Sequence, residues 1–472
     1  MLKKQISVFF FFWIAISAVN AQILFNGNNH LEYSHNESKD VTQYGSQRND
    51  FFENWTEGYL SHKNWRAGIR LGIHNPPHIF TPDQSIKKLS LERRFLEYDS
   101  GNLNIVAGHF YSLFGRGLVL RFFENRQLRY HTRIDRMKIN YFHPRFSVKL
   151  VSGEPINRVN ERHDLFHAGE LKINPFSTLY VGGTFLTTHP TEKQRVNWGS
   201  FLSEYNFDYG SIYFEYAQED NPNALMQGKA IYLNTNIFLG AFSLLAEYKD
   251  YEQFEQYEGA YFNNPPLVAR EHLFSLLNRH QLVQNADDEQ GILLEAGYPV
   301  IEDGILALHY SRTENQEREK LYEEYYSQFD WSTPFDWELL FGFGRQEDPS
   351  ARYLNFVNST SFGLSDAFSL KSIFEHQHTK RLLNLQQFYS QAMTLGLSHL
   401  SGWTISFLGE RTTEQQSPKN YWGAVQLNLN LSQKLELSIL AGSRRKGKYC
   451  VGGVCVIKPE LEGIEATLIT RF

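Results

Sequence analysis

From residue 23 onward, apolar and polar residues alternate with a period of two along most of the chain. The pattern is clearest at Val425, Leu427, Leu429 and Leu431, which share one face, with Gln426, Asn428 and Asn430 on the other. Leu435, Leu437, Ile439 and Ala441 repeat it, opposed by Glu436, Ser438 and Arg444. Ile231, Leu233, Thr235 and Ile237 do so again, opposed by Asn234 and Asn236. Strands with this period put one face in an apolar medium and the other in water.

The connections between these runs are unequal in a regular way. Short turns at Ser100-Gly101, Asn174-Pro175, Asp303-Gly304, Thr333-Pro334 and Ser432-Gln433 carry the residues of tight hairpins. Between them lie longer polar stretches, such as residues 36–50, 74–85, 112–130 and 251–288. Transmembrane barrels alternate short periplasmic turns with long external loops, and about 11 short plus about 12 long connections predict an all-β, antiparallel barrel of about 24 strands, within roughly 20 to 26. Both ends of the chain then fall on the short-turn side.

Composition sharpens this reading. Mean hydropathy is −0.44, which alone suggests a water-soluble protein. The 26 Tyr and 37 Phe, making aromatics 15% of residues with Trp, are what a barrel with a wet lumen and a lipid-facing exterior produces. No linker or low-complexity tract divides the 472 residues into domains. A net charge of −6 argues against nucleic acid as a partner, since no basic field neutralises phosphates.

The ends carry export chemistry. Lys3 and Lys4 precede an apolar run from Ile6 to Ala18, about 13 residues and short of the roughly 20 that a spanning helix needs. Val19-Asn20-Ala21 then predicts a signal peptide over residues 1–21 with Gln22 as the mature start. At the other end Ile464, Ala466, Leu468, Thr470 and Phe472 share a face, and a last strand closing on Phe472 reads as an assembly signal for outer-membrane barrels. The location predicted is the outer membrane of a Gram-negative bacterium. The partners predicted are membrane lipid, the outer-membrane assembly machinery and other envelope proteins.

Candidate chemistry is sparse. Residues 112–130 combine Gly115 and Gly117 with Arg116, Arg121, Glu124, Arg126 and Arg129, and with the apolar run of Leu118, Val119, Leu120, Phe122 and Phe123. Glycines permit an inward fold and the apolar run suits packing on the inner wall. The arginines would then favour anionic solutes at a constriction or selectivity loop. Within residues 251–288, Leu273, Leu276, Leu277 and His280 recur at helical spacing and predict a short amphipathic helix that caps or occludes the lumen. Glu252, Glu255 and Glu258 before it, and Asp287, Asp288 and Glu289 after it, read as a solvated acidic surface rather than a cation site.

His376 and His378 share a face, and without a third ligand they read as ordinary lumen histidines rather than half a metal site. Cys450 and Cys455 are a candidate disulfide that stiffens a hairpin. No nucleophile elbow, phosphate loop or zinc-protease helix is present, so neither a catalytic residue, a metal nor a cofactor is assigned.

Two stretches look familiar. Gly108, Phe110, Tyr111, Phe114, Gly115, Gly117, Leu118, Leu120 and Arg121, followed by Glu124, Asn125 and Arg126, resemble a motif of a domain-of-unknown-function family of exported bacterial β-proteins. The ending, with Cys450, Gly452, Gly453, Val454 and Cys455, then Gly463 and Phe472, resembles that family's C-terminal block. The resemblance implies an outer-membrane-type barrel and brings no established activity. Function therefore stands between a channel or porin-like barrel for small hydrophilic solutes, a non-conducting structural or assembly-partner barrel of the envelope, and a membrane-embedded enzyme, in that order. Charged residues expected in the lumen (Glu215, Lys371, Glu375, Glu436, Arg444) favour the first.

Overall fold

In a computed structural model, residues 23–37, 50–75, 89–126, 130–156, 164–189, 195–222, 224, 226–254, 263, 265–279, 288–451 and 454–472 are described. The expected signal peptide, Arg129, His280, Glu255, Glu258 and Asp287 lie outside these residues.

The alternating segments form one antiparallel sheet of 24 strands. The first eight are β1 (Leu24–Asn36), β2 (Asp50–His62), β3 (Trp65–Asn75), β4 (Leu89–Asp99), β5 (Leu103–Phe110), β6 (Arg133–His143), β7 (Phe146–Ile156) and β8 (Phe166–Phe176). Next come β9 (Leu179–Thr188), β10 (Val196–Phe207), β11 (Gly210–Asp220), β12 (Lys229–Leu239), β13 (Phe242–Glu252), β14 (Asp288–Ile301), β15 (Gly304–Glu314) and β16 (Lys320–Ser332). The circuit ends with β17 (Glu338–Glu347), β18 (Ala351–Gly363), β19 (Phe368–Arg381), β20 (Gln387–His399), β21 (Trp403–Thr412), β22 (Tyr421–Ser432), β23 (Leu435–Arg444) and β24 (Leu461–Arg471).

Each strand pairs with the next, and β24 pairs back onto β1 with Arg471 opposite Asn28. The sheet is thus a closed barrel without a free edge, which is how a sheet satisfies every backbone group where no water can. At the seam the Gly27 amide donates to the Phe472 carbonyl at 2.8 Å, and the rings of Phe25 and Phe472 lie 5.5 Å apart. A Cβ on Gly27 would meet the Phe472 ring at 2.6 Å, so the bare backbone there lets the last residue lie flat on the first strand.

The period-two alternation sorts side chains between the two faces as expected. Val425 and Ile464 face outward and are exposed. Gln426 on the opposite face bonds Asn428 and Ser438, each at 3.1 Å, and Glu465 pairs with Arg444 at 2.9 Å inside the barrel. His376 and His378 are a correction. On β19 the inward positions are Glu375, Gln377 and Thr379, so both histidines face outward and stack on Tyr389, with ring centroids 5.6 and 4.9 Å away. The period of two had placed them on one face without saying which.

Candidate functional site

The lumen is occupied by two of the long connections. The first runs from the end of β5 to the start of β6. Its tip turns back on itself: the Gly117 amide donates to the Phe114 carbonyl at 2.8 Å, and the Phe114 amide to the Leu120 carbonyl at 3.0 Å. Gly115 at the turn has φ of +51°, and a Cβ there would sit 2.4 Å from a Glu215 carboxylate oxygen. Only glycine fits this position.

That close approach is an anchor. The Gly115 amide donates to Glu170 of β8 at 2.6 Å, and the Arg116 amide to Glu215 of β11 at 2.9 Å. Behind the tip, Phe114, Leu118, Val119 and Leu120 have no exposed surface and Phe122 almost none. They pack with inward residues of the wall that include Val106, Ile134, Phe166, Trp198, Leu202 and Tyr232. Each such side chain contributes roughly 1.5–3 kcal/mol of transfer free energy.

The returning arm is tied to the opposite flank by charge. Glu124 accepts from both terminal nitrogens of Arg70 on β3, at 2.5 and 2.9 Å, and Arg126 pairs with Glu57 of β2 at 2.6 Å. Burial pushes the Glu124 carboxyl up, but the guanidinium groups of Arg70 and Arg126 outweigh it and hold the group well below the usual carboxylate range. The Tyr111 hydroxyl, which donates to Glu124 at 3.0 Å, is pushed up by burial and by that carboxylate.

The arginines therefore differ from the expected ring of lumen charges. Arg126 is neutralised by Glu57 and Glu124, and Arg121 lies over the Phe123 ring at 4.7 Å. Arg116 is exposed at the tip, with its guanidinium 4.8 Å from the Tyr213 ring centre. Of the four described members of the set, Arg116 is the most exposed, and Arg121 and Arg126 are half-buried.

The second connection, between β13 and β14, enters the lumen with residues 263–279. The expected amphipathic helix is reduced to one 3-10 turn, Leu276–Asn278. The physical reason is that wall side chains take the backbone bonds a helix would have used. The Ser275 and Leu276 amides donate to Glu375 at 3.2 and 2.6 Å. The Leu276 and Leu277 carbonyls accept from Gln377 at 2.8 Å and from Gln346 at 3.0 Å. Asn278 closes the turn on the His272 and Phe274 carbonyls. His272 bonds Glu324 of β16 at 2.7 Å, and Arg279 pairs with Glu410 of β21. A smaller apolar cluster, Phe274 and Leu277 on Tyr326 and Val357, accompanies this polar docking, and Val268 and Leu276 are buried as well. Asn263 donates to the Leu118 carbonyl at 2.8 Å, so the two connections touch.

The acidic stretch around the second connection is paired where it is described. Glu252 pairs with Lys229 at 2.6 Å, Asp288 accepts from the Gln316 amide at 2.5 Å, and Glu289 pairs with Lys249. The hairpin between β23 and β24, Gly447–Val451 with Val454–Lys458, sets Cys450 directly opposite Cys455 in its backbone register. It leans on the barrel through Lys458, which pairs with Glu32 at 2.6 Å and Glu465 at 3.1 Å, and through Lys448, which pairs with Glu271 of the second connection.

Two lumen cavities remain toward the short turns. One of about 480 Å³ lies between Asn236, Arg270, Glu295, His309 and Gln328. The other, of about 280 Å³, lies between Asp330, Glu338, Ser361 and Lys371, and Leu273 borders both. Both walls mix these polar and charged side chains with apolar ones, Phe238, Leu245 and Ala307 in the first and Phe274, Leu340 and Ile373 in the second.

Sequence reading missed the wall partners Glu57, Arg70, Glu170, Gln346 and Gln377. Their alternation marks each as facing inward, but nothing near them in the chain names the connection that they receive.

The fold has known counterparts. The P pilus usher PapC translocation pore superposes with a TM-score of 0.54 at 12% identity, over 95% of this chain and 98% of that one. PapC within an E. coli P pilus tip assembly intermediate, PapC-PapD-PapK-PapG, gives 0.58 at 10% identity, over 97% of this chain and 62% of that one. The siderophore receptor PirA from Pseudomonas aeruginosa gives 0.45 at 8%, over 96% and 81%. At these identities the likeness is one of fold: a large barrel of the kind found in Gram-negative outer membranes. No curated protein matches the sequence at a significant level. A family profile matches residues 2–313 and 316–472, so the chain belongs to the family of unknown function DUF6029.

Proposed function

We propose that this barrel is an outer-membrane channel for small hydrophilic solutes, narrowed by the two inward-folded connections. The observation that carries the reading is the pair of cavities left beside those connections on the short-turn side, each with charged side chains in its wall, Arg270 and Glu295 in one and Asp330, Glu338 and Lys371 in the other. The inward charges Lys371 and Glu436, which are not buried, support it, whereas Glu215, Glu375 and Arg444 are spent on the connections and on Glu465, and Arg116 is the selectivity element. The same reading includes an export leader over residues 1–21, insertion through the outer-membrane assembly machinery with Phe472 as the signal, and no catalytic step.

One observation favours the alternative of a non-conducting barrel that serves as a structural or assembly partner in the envelope. The side chains of Phe114, Leu118, Val119 and Leu120 are fully sequestered, as suits a permanent plug. PapC, a structural neighbour, is a translocation pore in one structure and stands with further proteins in a pilus tip assembly intermediate in another, so the likeness of fold is compatible with either role.

Single-channel conductance of the purified protein in a planar bilayer tests this, beside a variant lacking residues 116–129. Steady openings that widen in the deletion, and lose anion preference in Arg116→Ala, support a constricted channel. Silence in the wild type with a conducting deletion makes the connection a plug. Silence in both, with folding verified, overturns conduction and leaves the structural reading.

A further inference from the structure

The outer wall carries a concavity of about 750 Å³ that the channel reading does not use. It spans β14 to β18. Ala296 and Ser327 form its floor, while Leu294, Leu308, Phe343 and Leu354 rise around them. Those four flanking residues are exposed, as outward residues of a barrel strand are. The cause is a difference in side-chain size within one cross-strand row. Ser327 sits between Leu308 and Phe343, and Ala296 pairs with Leu308.

One row nearer the long connections, Tyr310, Tyr325 and Arg345 lie side by side across three strands. The two tyrosine rings are 4.9 Å apart. The Arg345 side chain is 57% exposed, with its nearest carboxylate, Glu347, at 3.8 Å.

The neighbouring charges are more tightly committed. Glu347 pairs with Arg352 at 2.8 Å and with Lys320 at 2.7 Å. Glu323 pairs with Lys320 at 3.3 Å and Arg312 at 3.5 Å, and Arg312 also holds Glu314. Arg345 is left as a loosely held cation at the upper lip of an apolar groove. An outward arginine near a strand end lies at headgroup depth, where it costs little and meets lipid phosphate.

We propose that this groove binds an anionic, phosphate-bearing membrane lipid, with acyl chains along Leu294, Leu308, Phe343 and Leu354 and a phosphate on the Arg345 guanidinium. The occupant follows from the surroundings. An outward groove at strand depth is bathed in acyl chains, its volume lies in the range of small-molecule sites, and its one loosely paired charge is positive. Tyr310 and Tyr325 stand where interfacial aromatic residues meet headgroups. The inference rests on the membrane placement proposed above.

The test uses the full chain, folded and mixed with lipid A and the zwitterionic phosphatidylethanolamine, with retained lipid read by native mass spectrometry. Flotation with liposomes reports insertion separately. Wild type should retain lipid A over phosphatidylethanolamine. Arg345→Ala, which removes the cation, and Ala296→Leu, which fills the floor, should each weaken retention roughly tenfold or more. Arg411→Ala should leave it unchanged, because Arg411 lies over the Tyr421 ring on β21, away from the groove. Protein that floats but retains lipid A equally in wild type, Arg345→Ala and Ala296→Leu overturns the groove assignment alone. Protein that does not float overturns the membrane reading and the groove with it.

Discussion

The two connections inside the lumen are held in opposite ways. Residues 111–126 dock through an apolar run, with Phe114, Leu118, Val119 and Leu120 sealed against the wall between β5 and β13. Residues 263–279 dock through polar caps, with Glu375, Gln377 and Gln346 taking their backbone groups one by one. Apolar burial is non-directional and pools over many contacts, so removing one side chain leaves a void that its neighbours feel. A hydrogen-bonded cap is directional and local, and its loss frees only the groups that it held. The first connection is thus part of the barrel's core, while the second is a fitted insert.

The largest expected effect is at the first connection. Leu120→Ala should lower global stability by about 2–5 kcal/mol, seen as an earlier melting of the whole barrel. A loss confined to hydrogen exchange within residues 111–126 would mean the connection is not integrated with the wall.

Next is Glu375→Ala, which removes the partner of the Ser275 and Leu276 amides, a local loss of about 1–3 kcal/mol. The expected outcome is faster hydrogen exchange over residues 265–279 with little change in global melting. Equal melting losses in Glu375→Ala and Leu120→Ala would erase the distinction between the two connections and make the lumen filling one cooperative unit.

The smallest effect is a dependence on pH. The Glu124 pKa is lowered on folding from an ordinary value of 4.5, so the unfolded chain binds the proton more readily. The contribution of the Arg70 pair is complete above that value and is lost as the pH falls toward the depressed folded one. Hydrogen exchange of residues 121–126, taken relative to the intrinsic amide rate at each pH, should be steady from neutral pH down to the ordinary carboxylate range and rise below it. In Glu124→Gln that rise should be absent, and a rise of the same size in the variant would assign it to other carboxylates.

The barrel was legible because its cause is local. A period of two sorts residues between water and lipid without reference to distant partners, and turn chemistry marks where each strand ends. That is why the strand count and the unequal connections could be read in advance, whereas the apolar run at Leu118 to Leu120 suited an inward fold without deciding it against an external loop or an extra strand pair. The same logic failed for His376 and His378, since periodicity groups residues on a face without naming its side. It failed again at residues 267–279, where leucines at helical spacing fold into a single turn because Glu375, Gln377 and Gln346 compete for the backbone.

The chain alone therefore determined the closed antiparallel barrel and its alternating faces, because each follows from side-chain polarity read over neighbouring residues. Only the tertiary structure decided which carboxylate meets which guanidinium, that Glu124 and Arg126 spend their charge on Arg70 and Glu57, and that Arg116 is the most exposed of the described set. Those pairings join residues 54 to 131 positions apart in the chain, from Arg70 with Glu124 to Arg279 with Glu410. Coulombic and hydrogen-bonding partners are chosen by distance in space, and distance in space exists only after the barrel has closed.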